Sequence, residues 1–178
     1  MSTKKTDVFV FWMVLLFPIA IFILAPSHAE TGYSIRLTAF IDEYLFGQGY
    51  YKPDTYPFAA KLTNSLSFIL AVTAAFIAAF SQGWKKYDFS QTHPLLLGLV
   101  MLPLTIFSIW LTVEPMEFSK STGRSWGTSE SFHNTVFLYL FAMVCKNTTI
   151  YLGIRFILAF SSTFLIEWKE YRERKRMQ

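Results

Sequence analysis

Cysteine, histidine and charge are all scarce in this chain of 178 residues, and each scarcity closes off a kind of chemistry. The single cysteine, Cys145, excludes a disulfide framework, a Cys-based zinc or iron–sulfur site and a dithiol exchanger. The three histidines, His28, His93 and His133, all fall at the edges of apolar runs, so no pair within a span is available to hold a haem. No HExxH, GxSxG or phosphate-cradling glycine loop occurs. No catalytic, cofactor-binding or metal-ligating residue is therefore expected. Charged residues make up only 16% of the chain, against about 25% in an average soluble protein.

What fills the chain instead is apolar. Hydrophobic residues account for 53% and aromatics for 19%, gathered into a few long runs. A helix crossing about 30 Å of hydrocarbon needs roughly 20 mainly apolar residues. Val8–Ala25, Leu62–Phe80 and Pro94–Val113 each meet that length without an internal charge. A fourth stretch, Phe132 to Ile166, is longer than one crossing needs and contains Lys146 and Arg155. A hairpin at Lys146–Thr149 would leave about 14 residues before the turn, too few to cross, so the stretch reads as one helix. The expected fold is an all-α integral membrane protein, a single polytopic domain over 1–178. Its spans fall at about 8–25, 62–80, 94–113 and 134–160, with outer loops 26–57 and 114–131 and a basic tail 167–178.

Lys and Arg set the expected orientation. With the N-terminus inside, Lys4, Lys5, Lys85, Lys86 and the cluster from Lys169 to Arg176 are internal, whereas the longer outer segments hold Arg36, Lys52, Lys61, Lys120 and Arg124. Both termini are thus expected in the cytoplasm, and the formal charge of +4 reads as an orientation signal against anionic headgroups, not as a nucleic-acid site. A rival reading takes the first run and Ser27-His28-Ala29 as a cleaved secretory signal, which would leave three spans in the same orientation.

Within the first outer loop, Ile35, Leu37, Phe40, Ile41, Tyr44 and Leu45 recur at helical spacing, which predicts a short amphipathic helix in the outer interface. Gly47 to Asp54 then reads as turns, carrying Tyr50 and Tyr51. The second outer loop is polar, with Trp126 near its end. Tyr50, Tyr51 and Trp126 are candidate outer contacts, since aromatic residues anchor interfaces. Acids there, with His133, supply the residue types of an acid–base pair, the basis of an alternative in which a small membrane enzyme acts at the outer face.

Ionisable groups within a span are functional candidates by default. Lys146 and Arg155 are nine residues apart and leave opposite sides of the helix. Lys146 shares a polar and small stripe with Tyr139, Thr149 and Gly153. Span two offers a small-residue line through Ser67, Ala71 and Ala75, suited to close helix approach. These seven residues are the candidate helix-packing or partner face.

The four-span layout, cytoplasmic ends, a basic tail closing on Gln178, and Glu117-Phe118-Ser119-Lys120-Ser121-Thr122-Gly123-Arg124 before the last span resemble immunity proteins against pore-forming colicins of the A and B type. The resemblance implies a plasmid-borne, non-enzymatic protein of the bacterial inner membrane that recognises a toxin's channel-forming helices and blocks the pore. Expected partners are membrane lipids and another membrane protein or a membrane-inserted toxin, with no nucleic acid. Two other readings use the same features: an accessory subunit of a larger membrane complex, and an exclusion protein barring a second conjugative plasmid.

Overall fold

A computed structural model describes residues 3–46, 49, 53–83, 85–88, 93–114 and 130–177. The described residues form six helices and no strand: α1 (Thr3–Leu24), α2 (Gly32–Tyr44), α3 (Pro57–Ser81), α4 (Pro94–Val113), α5 (Glu130–Asn134) and α6 (Val136–Arg176). Four of them, α1, α3, α4 and α6, are long and apolar enough to cross a membrane.

The interior of the bundle is made of small and aromatic residues. Ala71, Ala74, Ala75 and Ala78 of α3 are buried against Val14 of α1 and Ile150 and Tyr151 of α6. Alanines at three-and-four spacing remove side-chain bulk from one face of α3, so two neighbouring helices approach its backbone closely. α1 packs on both α3 and α6. Near its far end, Phe22 meets Tyr56 and Tyr139 with ring centroids 5.0 and 5.6 Å away. α1 therefore stands as a packed member of a four-span bundle.

α4 is held differently. It rests on α6 and only lightly on α3. Its buried residues are Gly98, Thr105, Ser108 and Thr112, a line of small side chains on one face. Thr105 and Thr112 return their hydroxyls to the carbonyls of Met101 and Ser108, at 2.7 and 2.9 Å, which satisfies them inside an apolar layer.

α2 is the amphipathic helix expected in the first outer loop. A capping box starts it: Thr31 Oγ1 accepts from the Ser34 backbone N–H at 3.2 Å, and Ser34 Oγ accepts from that of Thr31 at 3.0 Å. Ile41 is fully buried, and Lys61 of α3 donates to Asp42 at 2.6 Å. Tyr33, Ile35, Phe40 and Tyr44 stay exposed.

Two features add to the sequence reading. The last helix continues past the expected 134–160 span and runs 41 residues to Arg176, about 60 Å, twice the hydrocarbon thickness. The segment expected as a tail is helix: Lys169 and Glu173 pair at i,i+4, Arg172 lies over the Trp168 ring at 5.5 Å, and Arg174, Lys175 and Arg176 fill the last turn, where cations favour the helix dipole. The other is α5, a single helical stretch preceding α6. Asn134 at its end accepts hydrogen bonds from the backbone N–H groups of Asp54 and Thr55, at 2.9 and 3.2 Å, tying the start of α6 to the start of α3.

A very close approach between α4 and α6 lies at Gly153. A Cβ placed there would come within 1.7 Å of Thr105 Oγ1 and 2.8 Å of its Cβ. Gly153→Ala is expected to push α4 off α6 and to lower stability by about 1–3 kcal/mol, the usual cost of overpacking. Unfolding in mixed micelles measures this, and Thr105→Gly in the same chain should recover most of the loss.

Candidate functional site: a polar seam between α3 and α6

The sequence leaves open whether the small-residue line of span two meets span four or another protein's helix. In the fold it meets α6. Asn64, one turn before Ser67, is the centre of the contact. Lys146 Nζ donates to Asn64 Oδ1, and both side chains are buried, at 4% and 2% exposure. The Asn64 amide donates in turn to the carbonyls of Phe46, at 3.0 Å, and Thr112, at 3.2 Å. One side chain thereby links α3 to α6, to the end of α4 and to the segment following α2.

Around this centre the seam continues in both directions. Asn147 donates to Ser67 Oγ at 2.7 Å, and the Ser67 hydroxyl donates to the Thr63 carbonyl. Toward the α2 end, the Tyr139 hydroxyl donates to the Ala60 carbonyl at 3.0 Å. Gly49 sits against the same centre: a Cβ there would fall 2.2 Å from the Thr112 carbonyl oxygen and 3.0 Å from Asn64 Nδ2. That position accepts only glycine.

A second polar cluster closes the opposite end. Asp7 of α1 accepts from Gln82, just past α3, and from Arg155 of α6 at 3.4 Å. Arg155 also donates to the Tyr151 hydroxyl at 3.0 Å. Tyr87 follows on, its hydroxyl donating to Gln82 and its backbone N–H to Thr163. Lys146 stands about 15 Å along α6 from its start and Arg155 about 28 Å, so the two polar clusters lie well apart along the helix.

The candidate face thus divides. Tyr139, Lys146, Ser67, Ala71 and Ala75 are brought together as internal packing between α3, α6 and α1. Gly153 faces α4 instead, and Thr149 is only partly buried, turning its hydroxyl back to the Cys145 carbonyl at 2.9 Å. Tyr50, Tyr51 and Trp126 lie outside the described residues. Of the outer acid–base candidates, His133 is buried and Glu114 is exposed, while Glu117 lies outside the described residues. No group of three metal-ligating side chains occurs among the described residues.

No protein-family model, curated protein or solved structure matches this chain. The site must be understood from its own geometry.

Sequence reasoning puts Asn64 on the small-residue packing line of span two but not at its hub, and missed Asn147 as its neighbour. The signal was present: two amides in apolar runs, each needing partners that hydrocarbon does not supply. It missed Asp7 as the partner of Arg155 because 148 positions separate them. The seam's hydrogen bonds run between side chains of α3 and α6 and to helix carbonyls, an arrangement that fixes helix register, while Asn147 Oδ1 and Thr63 Oγ1 are buried without a hydrogen-bond partner among the described residues.

Interhelical hydrogen bonds in membranes average only about 0.6 kcal/mol, because the unfolded chain in lipid also finds partners. Asn64 should exceed that average, since its loss removes the bonds to Lys146 and to the carbonyls of Phe46 and Thr112 together. Asn64→Leu is expected to destabilise the protein by about 1–3 kcal/mol. In a Lys146→Met background the same change should cost less, because the bond between the two side chains is already gone. A double-mutant cycle read by unfolding in mixed micelles measures the coupling; additive losses would contradict the hub.

Proposed function

We propose that this chain is a non-enzymatic binding protein of the bacterial inner membrane, with both termini cytoplasmic, that gives immunity to a pore-forming bacteriocin by engaging the toxin's membrane-inserted helices. The observation that carries this reading is the asymmetry of α4. Polar groups of α3 and α6 are directed into the internal seam, whereas α4 turns Leu96, Val100, Leu104 and Phe107 outward as a broad apolar face. That face offers shape to another helix without demanding polar partners, which is how helices associate within lipid. The basic segments of α1 and α6 emerge at one end of the bundle, where Asp7, Gln82 and Arg155 meet, and the lysine and arginine bias puts that end in the cytoplasm. α2, with Tyr33, Phe40 and Tyr44 exposed, then lies in the outer interface, where a toxin arriving from outside first meets the membrane. An accessory subunit of a larger membrane complex would use the same face of α4, and the assay below separates the two.

Sensitive bacteria expressing the chain, challenged with a panel of pore-forming bacteriocins, should survive one toxin selectively. Leu104→Ala with Phe107→Ala should lower the tolerated dose about tenfold, the effect of losing about 1.4 kcal/mol of contact, while membrane insertion stays intact. Substitutions at Tyr50, Tyr51 or Trp126 that matter more than those on α4 would move recognition to the outer loops. Survival equal to an empty-vector control across the panel would sink the immunity reading and favour the subunit.

A further inference from the structure

Along the first half of α4 the contact with α6 leaves an opening. An apolar groove of about 350 Å³ runs between the two helices, walled by Leu95, Leu99, Leu102 and Pro103 on one side and Phe156 and Phe160 on the other. Gly98 forms its floor: a Cβ there would touch the Phe156 ring at 3.4 Å, so any larger side chain would occupy the groove. Leu95 and Leu99 stand at its rim, 80% and 72% exposed. At the start of α4 the groove opens, past Pro94 and Phe160, into a wider cavity of about 650 Å³ lined by Lys86, Tyr87, Asp88, Thr163 and Glu167.

Length and charge together point to the occupant. From Pro94 to Pro103 α4 advances about 14 Å, roughly half of a 30 Å hydrocarbon layer, so the apolar groove is one leaflet deep. A partner helix crossing the membrane would demand a groove twice as long. An acyl chain demands one leaflet. The mouth carries both signs of charge just before the apolar run of α4 begins: Lys86 pairs with Glu167 at 2.9 Å, both about half exposed, and Asp88 stands in the same wall. The hydrogen bond to Glu167 holds the Lys86 pKa above its ordinary value, so the cation persists at neutral pH. Lys85 adds a second cation beside the mouth, over the Tyr87 ring at 4.9 Å.

We propose that the α4–α6 groove is a binding site for a phospholipid whose headgroup carries both a phosphate and a primary amine. One acyl chain fills the groove over Gly98, the phosphate meets Lys86, and the amine donates to Glu167. This site lies on the opposite flank of α4 from Val100, Leu104 and Phe107, and it stands whether or not the immunity reading does.

Native mass spectrometry of the full chain, released from detergent after exposure to equal amounts of phosphatidylethanolamine, phosphatidylglycerol and phosphatidylcholine, tests it. The expected result is one retained phosphatidylethanolamine per chain, favoured about tenfold over either other lipid, a difference of about 1.4 kcal/mol. Lys86→Ala with Glu167→Ala, both at the exposed mouth, should abolish the headgroup preference. Gly98→Phe should abolish retention. Equal retention of all three lipids by the unaltered protein would overturn the proposal, as would a preference that survives loss of Lys86 and Glu167. Cross-linking in native membranes from Leu99→Cys, in a Cys145→Ser background, supplies an independent arm: an uncross-linked chain agrees with a lipid, whereas a dimer or an adduct with another membrane protein would show a helix in the groove and overturn it.

Discussion

The Lys146–Asn64 hydrogen bond sets conditions that the rest of the bundle meets. An ionisable side chain within an apolar helix long enough to span must face protein, and Lys146 reaches Asn64 only if α6 lies close along α3. That closeness requires the alanines of α3 and explains why Ser67, not a larger residue, receives Asn147 one turn further on. The remaining capacity of the Asn64 amide is taken by the carbonyls of Phe46 and Thr112, so the segment after α2 and the end of α4 are drawn to the same point. Gly49 follows from this, because a side chain there would strike the Thr112 carbonyl.

A second clamp, Asp7 with Gln82 and Arg155, fixes the other end of α1, α3 and α6. Three helices are therefore held at both ends and along a polar seam, with an aromatic trio of Phe22, Tyr56 and Tyr139 between the first clamp and the α2 end. α4 is tied at one end only, through the Thr112 carbonyl, and has no second clamp among the described contacts. It leans on α6 through a line of small residues and keeps its large ones outside. The functional readings meet on this difference: a rigid trio gives the fold its register, and the fourth span supplies surface, one flank broad and apolar, the other grooved.

In the proposed reading the polar side chains serve recognition indirectly, by holding α4 in place and by shaping the mouth where Lys86 pairs with Glu167. Directing the hydrogen bonds of α3 and α6 at one another and at helix carbonyls is also what lets a polar seam lie between apolar helices.

Length and composition alone determined the four apolar helices, because bilayer thickness is an external ruler that a single sequence can be measured against. The span Pro94–Val113 was legible to the residue, and α2 was legible from its spacing. The continuation of α6 through its basic end was less so, since charged helix formers read equally well as a tail until Lys169–Glu173 and Trp168–Arg172 are seen to fall on successive turns. Lys146 and the small-residue line of α3 stood out as special, but periodicity gives a residue's face without naming the helix opposite. Tertiary structure alone decided that Ala71 and Ala75 are buried inside the bundle, that Gly153 belongs to α4 and Lys146 to α3, and that Asp7 finds Arg155. The physical reason is that partner choice in a helical bundle is made by contacts between residues tens to more than a hundred positions apart, and such contacts leave no period in the sequence.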